Sequence, residues 1–262
     1  MERPMPELPA VDALHLRNPA ALLLGQVSRE LSPEDGMFHG NAEHYLSCGA
    51  SAYNVISAAL DLSGVRPRSM LDFGAGAGRV TRWLRAGHPQ AAIATTDIRP
   101  RDIAFCQAAF GTRSWLSGID IDRLSAPETY DLIWVGSVIT HLSEENSLRL
   151  MRKLFSWLNP LGLLVVSLHG RFVQHRAAQF DHYGVGAGRW ADIERDYAAR
   201  GFGYADYPGQ EGYGISLCSP AWMAAAAERV AGARVVLFSE RAWDGHHDVV
   251  ALQNRPVTGQ SG

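Results

Sequence analysis

The sequence predicts a doubly wound α/β fold, a single seven-stranded, mostly parallel sheet with helices on both faces. Three observations carry that prediction. Apolar, β-rich runs alternate with helix-spaced segments from residue 69 to residue 168, the order that builds a parallel sheet covered on both sides. A turn of alternating glycines, Gly74-Ala75-Gly76-Ala77-Gly78, leads from the first of those runs into a helix. The last two β-rich runs, "ARVVLFSE" and "HDVVALQN", are joined by "RAWDGHH". That connection is too short for a parallel crossover, so the last strand is antiparallel to its neighbour.

Taken in order, residues 1 to about 36 are Pro-rich and without periodicity, an arm rather than a domain. Residues 37–262 read as a single domain. "ASAYNVISAALDLSG" carries Tyr53, Ile56 and Leu60 at helical spacing and stops at Gly64. Ser69-Met70-Leu71-Asp72-Phe73 is a short buried strand. "RVTRWLRAG" continues from the glycine turn as a helix with Val80, Trp83 and Leu84 inward. "AAIATTDI" is the second strand, residues 101–110 the next helix, "TRSWLS" a weak third strand and Tyr130–Ser137 a strong fourth.

Ser143 then caps a helix whose first turn holds Glu144 and Glu145, favourable at the positive end of the helix dipole. Its apolar positions are read as Leu148, Met151, Phe155 and Leu158, and Asn159-Pro160-Leu161-Gly162 ends it before the fifth strand, "LLVVSL". Residues 169–218 break the alternation. They are aromatic and glycine-rich, with one helix in "RWADIERDYAARG", and read as a cap inserted after strand five. Ser219-Pro220 opens the next helix, with an N-cap residue ahead of proline at the first helical position.

Composition narrows the class. A chain of 262 residues, 47% hydrophobic, can bury one sizeable core. The formal charge is −3 and no basic block stands out, which argues against a nucleic-acid partner. Cys48, Cys106 and Cys218 are scattered and odd in number, neither a disulfide framework nor a zinc motif. The first residues combine acids and prolines where a signal peptide needs a basic head and a longer apolar run. No run is long enough to span a membrane. A cytoplasmic protein with no membrane association is expected.

Glycine turns between strand and helix let a ligand approach bare backbone at helix N–H groups. The dinucleotide fingerprint needs a small residue at its sixth position for close helix–strand packing. Counted from Gly74, that position is Arg79. The register here is G-x-G-x-G with Asp72 two places ahead of it. These residues resemble the first motif of the class I S-adenosylmethionine-dependent methyltransferases, and the resemblance covers roughly residues 37 to 254. More narrowly, "MFHGNAEHYLSCG" resembles the lead-in segment of a bacterial small-molecule or sugar methyltransferase branch.

The resemblance implies a Rossmann-like methyltransferase fold, S-adenosylmethionine as cofactor, and a set of cofactor residues. Asp72, Phe73, Gly74, Ala75 and Gly76 would cradle it. Asp97, followed by Ile98, would accept both ribose hydroxyls, a pairing one carboxylate can make with a vicinal diol. Asp120 is the candidate for the adenine amino group, though the usual Gly-Asp pairing is missing from "SGIDID". Ser137, Val138 and His141 would run along the cofactor, with His141 alternatively capping or packing at a helix start. Tyr45 would close over the methionine moiety, or merely pack the arm on the sheet.

Ligands of doubly wound sheets bind outside the carboxyl ends of the strands, which brings the insertion and the "RAWDGHH" turn to the acceptor side. His169 and His247 are the candidate bases, with Asp244 as an orienting partner. A metal site from Asp244, His246 and His247 matches no standard spacing, and no metal is expected. The function expected is methyl transfer to a small-molecule acceptor, a hydroxyl of a sugar-like or natural-product compound. A nicotinamide-dependent oxidoreductase and a non-catalytic S-adenosylmethionine-binding module are the alternatives. The aromatics of the insertion suit a homodimer interface as well as a substrate pocket.

Overall fold

A computed structural model describes residues 18–255; the Pro-rich stretch before residue 18 lies outside the described residues. The main sheet has the order β3-β2-β1-β4-β5-β9-β8. Its strands are β1 (Ser69–Phe73), β2 (Ala92–Asp97), β3 (Arg113–Leu116), β4 (Tyr130–Val135), β5 (Leu158–Leu168), β8 (Ala233–Trp243) and β9 (His247–Asn254). The first five pair in parallel, whereas β9 is antiparallel to both β5 and β8. The reversed last strand predicted from the short β8–β9 connection is therefore present.

Helices α1 (Ala42–Ser63), α2 (Thr81–Gly87), α3 (Pro100–Phe110), α4 (Glu144–Phe155) and α7 (Pro220–Glu228) surround the sheet. α1 ends where Gly64 turns left-handed at φ 75° and its N–H bonds the Leu60 carbonyl, the usual role of glycine past a helix end. Ser143 accepts from the Asn146 N–H and Ser219 from the Trp222 N–H, so both caps read from the sequence are made. One face of the sheet packs a core around Leu71, Ile133, Leu164 and Met151. The other packs one around Ile56, Trp83, Leu84 and Trp134. Strands buried on both faces explain why they read as unbroken apolar runs.

Two boundaries differ from expectation. Leu158 is the first residue of β5, not the last apolar position of α4. α4 stops at Phe155, and the chain turns early because the Tyr130 N–H bonds the Trp157 carbonyl. A register shift in the β4–β5 pairing between Tyr130 and Leu132 accommodates the extra residues. The second difference lies between β5 and α7. That segment holds α5 (Arg171–Arg176) and α6 (Ala187–Arg200), and also an antiparallel pair, β6 (Phe202–Asp206) and β7 (Gly214–Cys218). It has its own small core of Val173, Trp190, Ile193, Ile215 and Leu217. The hairpin was hidden because "FGYAD" and "GISLC" are short and glycine-interrupted.

The stretch from Asn18 to Gly36 lies against the body. Ala20 and Val27 are buried against α1, and the Ala20 N–H donates to Asn54 Oδ1 at 2.9 Å. Arg82, 1% exposed, donates from Nη1 to the Ser28 and Glu30 carbonyls at 3.0 and 2.9 Å. Among the described residues no helix is long and apolar enough to cross a membrane.

Candidate functional site

The glycine turn works by conformation first. Gly74, Gly76 and Gly78 have φ of 73°, 52° and 78°, left-handed values that side chains with a Cβ resist. Space adds to this at two of them. A Cβ on Gly74 would lie 2.5 Å from Val138 Cγ2, and one on Gly78 would lie 2.4 Å from the Phe110 ring. The Gly74 and Ala75 N–H groups donate to the Thr96 carbonyl, and the Gly76 N–H donates to Asp97 Oδ2 at 2.9 Å. The loop is thus tied to the end of β2, with its outer edge facing a cavity of about 460 Å³, within the range of small-molecule sites.

Asp72, Phe73, Gly74, Ala75, Gly76, Asp97, Ile98, Ser137, Val138 and His141 all line that cavity. Tyr45 and Asp120 do not. Tyr45 is buried and donates its hydroxyl to Asp35 Oδ2 at 2.6 Å, so that Asp35 reaches the cavity in its place. Asp120 caps the short 3-10 turn Ile121–Arg123 by accepting from the Asp122 N–H and faces Arg123. Ser117, Gly118 and Ile119 border the cavity instead.

Asp72 is fully buried, and its Oδ2 accepts from Thr81 Oγ1 at 2.6 Å, linking the end of β1 to the start of α2. Burial, reinforced by nearby Asp97, pushes its pKa up from 3.8 to about 7. Asp97 keeps one oxygen on Gly76 N–H and the other on Arg99 N–H. Each carboxylate oxygen has a second lone pair, so the group can still accept from a ligand diol. Ser137 holds φ 57°, unusual for a residue with a Cβ, and its N–H donates to Ser167 Oγ at 2.8 Å. Strain of that kind persists where the surroundings fix it and concentrates at sites.

His141 is the histidine on the cavity wall. Its Nδ1 bonds the Gly214 carbonyl at 2.8 Å, which can only accept, so Nδ1 carries the proton and Nε2 the lone pair. Tyr213 stacks on the ring at 4.8 Å. Burial lowers the His141 pKa below the usual histidine range, outweighing the Gly214 bond, so the ring is neutral near pH 7. Both Gly214 and Tyr213 belong to the β6–β7 region that the sequence left irregular.

His169 and His247 do not line the cavity. They stack on each other at 4.9 Å, and Trp243, which borders the cavity, stacks on His247 at 4.7 Å. Burial, reinforced by neighbouring imidazoles, takes the His169 pKa well below its usual value and lowers His247 to about 3. Asp244 orients neither; its carboxylate lies 3.9 Å from His44 Nε2. Several wall residues escaped the sequence reading. Asp35 comes from a segment with no motif, whereas Tyr213 is one of the insertion aromatics expected to line a pocket. Arg79, read only as an obstacle to dinucleotides, lies 5.4 Å from the Trp243 ring centre and borders the cavity.

Comparison with known proteins agrees with this geometry. Residues 71–164 match a family described as a methyltransferase domain. A curated relative, the malonyl-[acyl-carrier protein] O-methyltransferase of Halalkalibacterium halodurans, is 30% identical over 110 residues. That match spans 40% of this chain and 40% of the relative's length. Among solved structures, an S-adenosylmethionine-dependent methyltransferase from Clostridium acetobutylicum superposes with TM-score 0.56 at 11% identity, over 79% of this chain and 92% of the other. The plantazolicin methyltransferase in complex with S-adenosylhomocysteine gives 0.55 at 13%, over 82% and 86%. The 1,6-didemethyltoxoflavin-N1-methyltransferase of Burkholderia thailandensis gives 0.52 at 16%, over 98% and 94%. These likenesses show the fold. The family match runs from β1 through the glycine turn into β5, so that part of the chain is similar to a methyltransferase domain, on a fold shared with S-adenosylmethionine-dependent methyltransferases.

Proposed function

We propose that the protein transfers a methyl group from S-adenosylmethionine to a hydroxyl oxygen of a small-molecule acceptor, with a sugar-like or natural-product compound as the acceptor class. The observation that carries the reading is the meeting of the glycine turn, Asp97 and a neutral His141 on one cavity. The cavity's chemistry fits the cofactor. Asp97 suits the ribose diol. The exposed apolar side chains of Ile98 and Ile119, 56% and 87% accessible, offer a surface for the adenine. Asp35 and Arg79 supply opposite charges suited to the amino-acid end.

When bound, the cofactor supplies an already activated methyl group on a sulfonium. What the chain adds is alignment and proton removal. Fixing acceptor and donor in line can supply roughly 7 to 11 kcal/mol of a bimolecular barrier. His141 Nε2, with Nδ1–H held by the Gly214 carbonyl, accepts the acceptor's hydroxyl proton. His169, buried, and His247, half-buried, pack behind Trp243; in this reading they support the wall and do not act as bases. Tyr213 and the β6–β7 turn form the cap that excludes water.

The named relatives that act on small molecules support the acceptor class. The test is to incubate the protein with methyl-labelled S-adenosylmethionine and a panel of hydroxylated metabolites and sugars. Label should appear as an O-methyl group on at least one of them. His141→Asn should lower that turnover by roughly 10²- to 10⁴-fold, the usual worth of a general base, while S-adenosylhomocysteine binds as before. Label transferred equally well by the variant would remove His141 from the mechanism.

A further inference from the structure

Behind the Trp243 wall lies a cluster that the methyl-transfer reading does not use. His169 follows the end of β5, and His246 and His247 sit in the turn that opens β9. One ring nitrogen from each lies within 4.8 Å of those of the other two. The ring centres are 4.9 Å apart for His169 and His247, 5.0 Å for His246 and His247, and 5.8 Å for His169 and His246.

The polar atoms of this cluster are unusually short of partners. Nδ1 of His169 and Nδ1 of His247 are buried with no hydrogen-bond partner, and so is the hydroxyl of Tyr183. The Tyr183 ring lies 6.1 Å from His169 and 5.8 Å from His246. Buried polar groups are nearly always satisfied, and those that are not point to a missing ion or water. The backbone that delivers Tyr183 is itself strained: Asp181, His182 and Tyr183 are consecutive left-handed residues, with φ of 49°, 52° and 53°. Such residues cost about 1–2 kcal/mol each, so the packing around the histidines must hold them there.

We propose that His169, His246 and His247 form a binding site for a divalent transition-metal ion of the zinc class, with a fourth position left for water or a ligand oxygen. Imidazole nitrogens suit zinc and its neighbours, whereas magnesium and calcium prefer oxygen. Three histidines with an open position are an established zinc arrangement. Zinc–nitrogen bonds of about 2.0–2.1 Å place tetrahedral ligands roughly 3.4 Å apart, so small side-chain rotations complete the set. The "RAWDGHH" turn does not supply the third partner through Asp244, as its sequence suggests. That carboxylate turns to His44 and Cys48, and His169 arrives from the end of another strand.

The same turn therefore borders two clusters, and the experiment separates them. The full chain, stripped with a chelator, is titrated with Co²⁺ alone and then with Zn²⁺. The site predicts one Co²⁺ per chain, visible ligand-field absorption of a tetrahedral nitrogen–oxygen centre, no sulfur-to-cobalt charge transfer, and displacement by Zn²⁺. His246 is only half-buried, so His246→Gln should fold, bind S-adenosylhomocysteine normally and lose Co²⁺ affinity by at least roughly tenfold, since even an outer-shell change costs that much. Cys48→Ser should leave Co²⁺ binding intact. Absence of stoichiometric uptake, an unchanged His246→Gln affinity, or a sulfur band abolished by Cys48→Ser would each overturn the assignment. None of these readouts involves methyl transfer, so failure here leaves the proposed function standing.

Discussion

Asp72 shows how one buried carboxyl shapes the site's electrostatics. Its folded pKa of about 7 lies above its ordinary 3.8, so the native state holds its proton more tightly than the unfolded chain does. Stability from this group is therefore full below about pH 4 and falls as pH rises towards 7, by on the order of 4 kcal/mol at most. Asp72→Asn keeps an acceptor for Thr81 and removes the titration. Thermal melts of the cofactor-free protein should show the variant gaining on the native protein between pH 4 and 7, with no further gain above. Parallel profiles would mean that Asp72 ionises as freely in the fold as outside it. At this scale the sequence was informative where chemistry is local. The glycine turn and Asp97 are separated by one helix and one strand, and both reach the cavity. Asp35 reaches it from a distant segment, and nothing in its neighbours announces it.

At the scale of elements, Arg82 joins the arm to the body. It projects from α2 between the Tyr45 and Phe110 rings, each 5.1 Å from its guanidinium carbon. It donates to two arm carbonyls, those of Ser28 and Glu30. The turn it secures continues to Asp35, which Tyr45 holds at the cavity. Arg82→Ala should cost about 1.5–3 kcal/mol, the scale of hydrogen bonds from a charged group, and should expose residues 28–36 to protease. Native resistance to cleavage in the variant would show that apolar contacts of Ala20 and Val27 suffice. The elements themselves were largely readable, because fully buried parallel strands and capped helices leave periodic marks. The β6–β7 hairpin was not, since its short strands are defined by pairing across the chain rather than by local pattern.

For the whole molecule, topology decides what meets what. Parallel strands β1, β4 and β5 end on one edge of the sheet, and β8 ends there too because β9 reverses beside it. The glycine turn, Ser137, His141, His169 and the β8–β9 turn are thereby gathered on one side. The sequence allowed that side to be identified. It did not show that Trp243 would stack on His247 and border the cavity while His169 and His247 do not, because the β8–β9 register shifts between Ser239 and Trp243. The central claim is that this edge holds S-adenosylmethionine. Calorimetric titration with S-adenosylhomocysteine, with NADH as comparison, tests it most directly. Micromolar binding of S-adenosylhomocysteine alone, weakened roughly 10- to 100-fold by Asp97→Ala through loss of charged hydrogen bonds, is the predicted result. No binding of S-adenosylhomocysteine, or equal binding by Asp97→Ala, would contradict it.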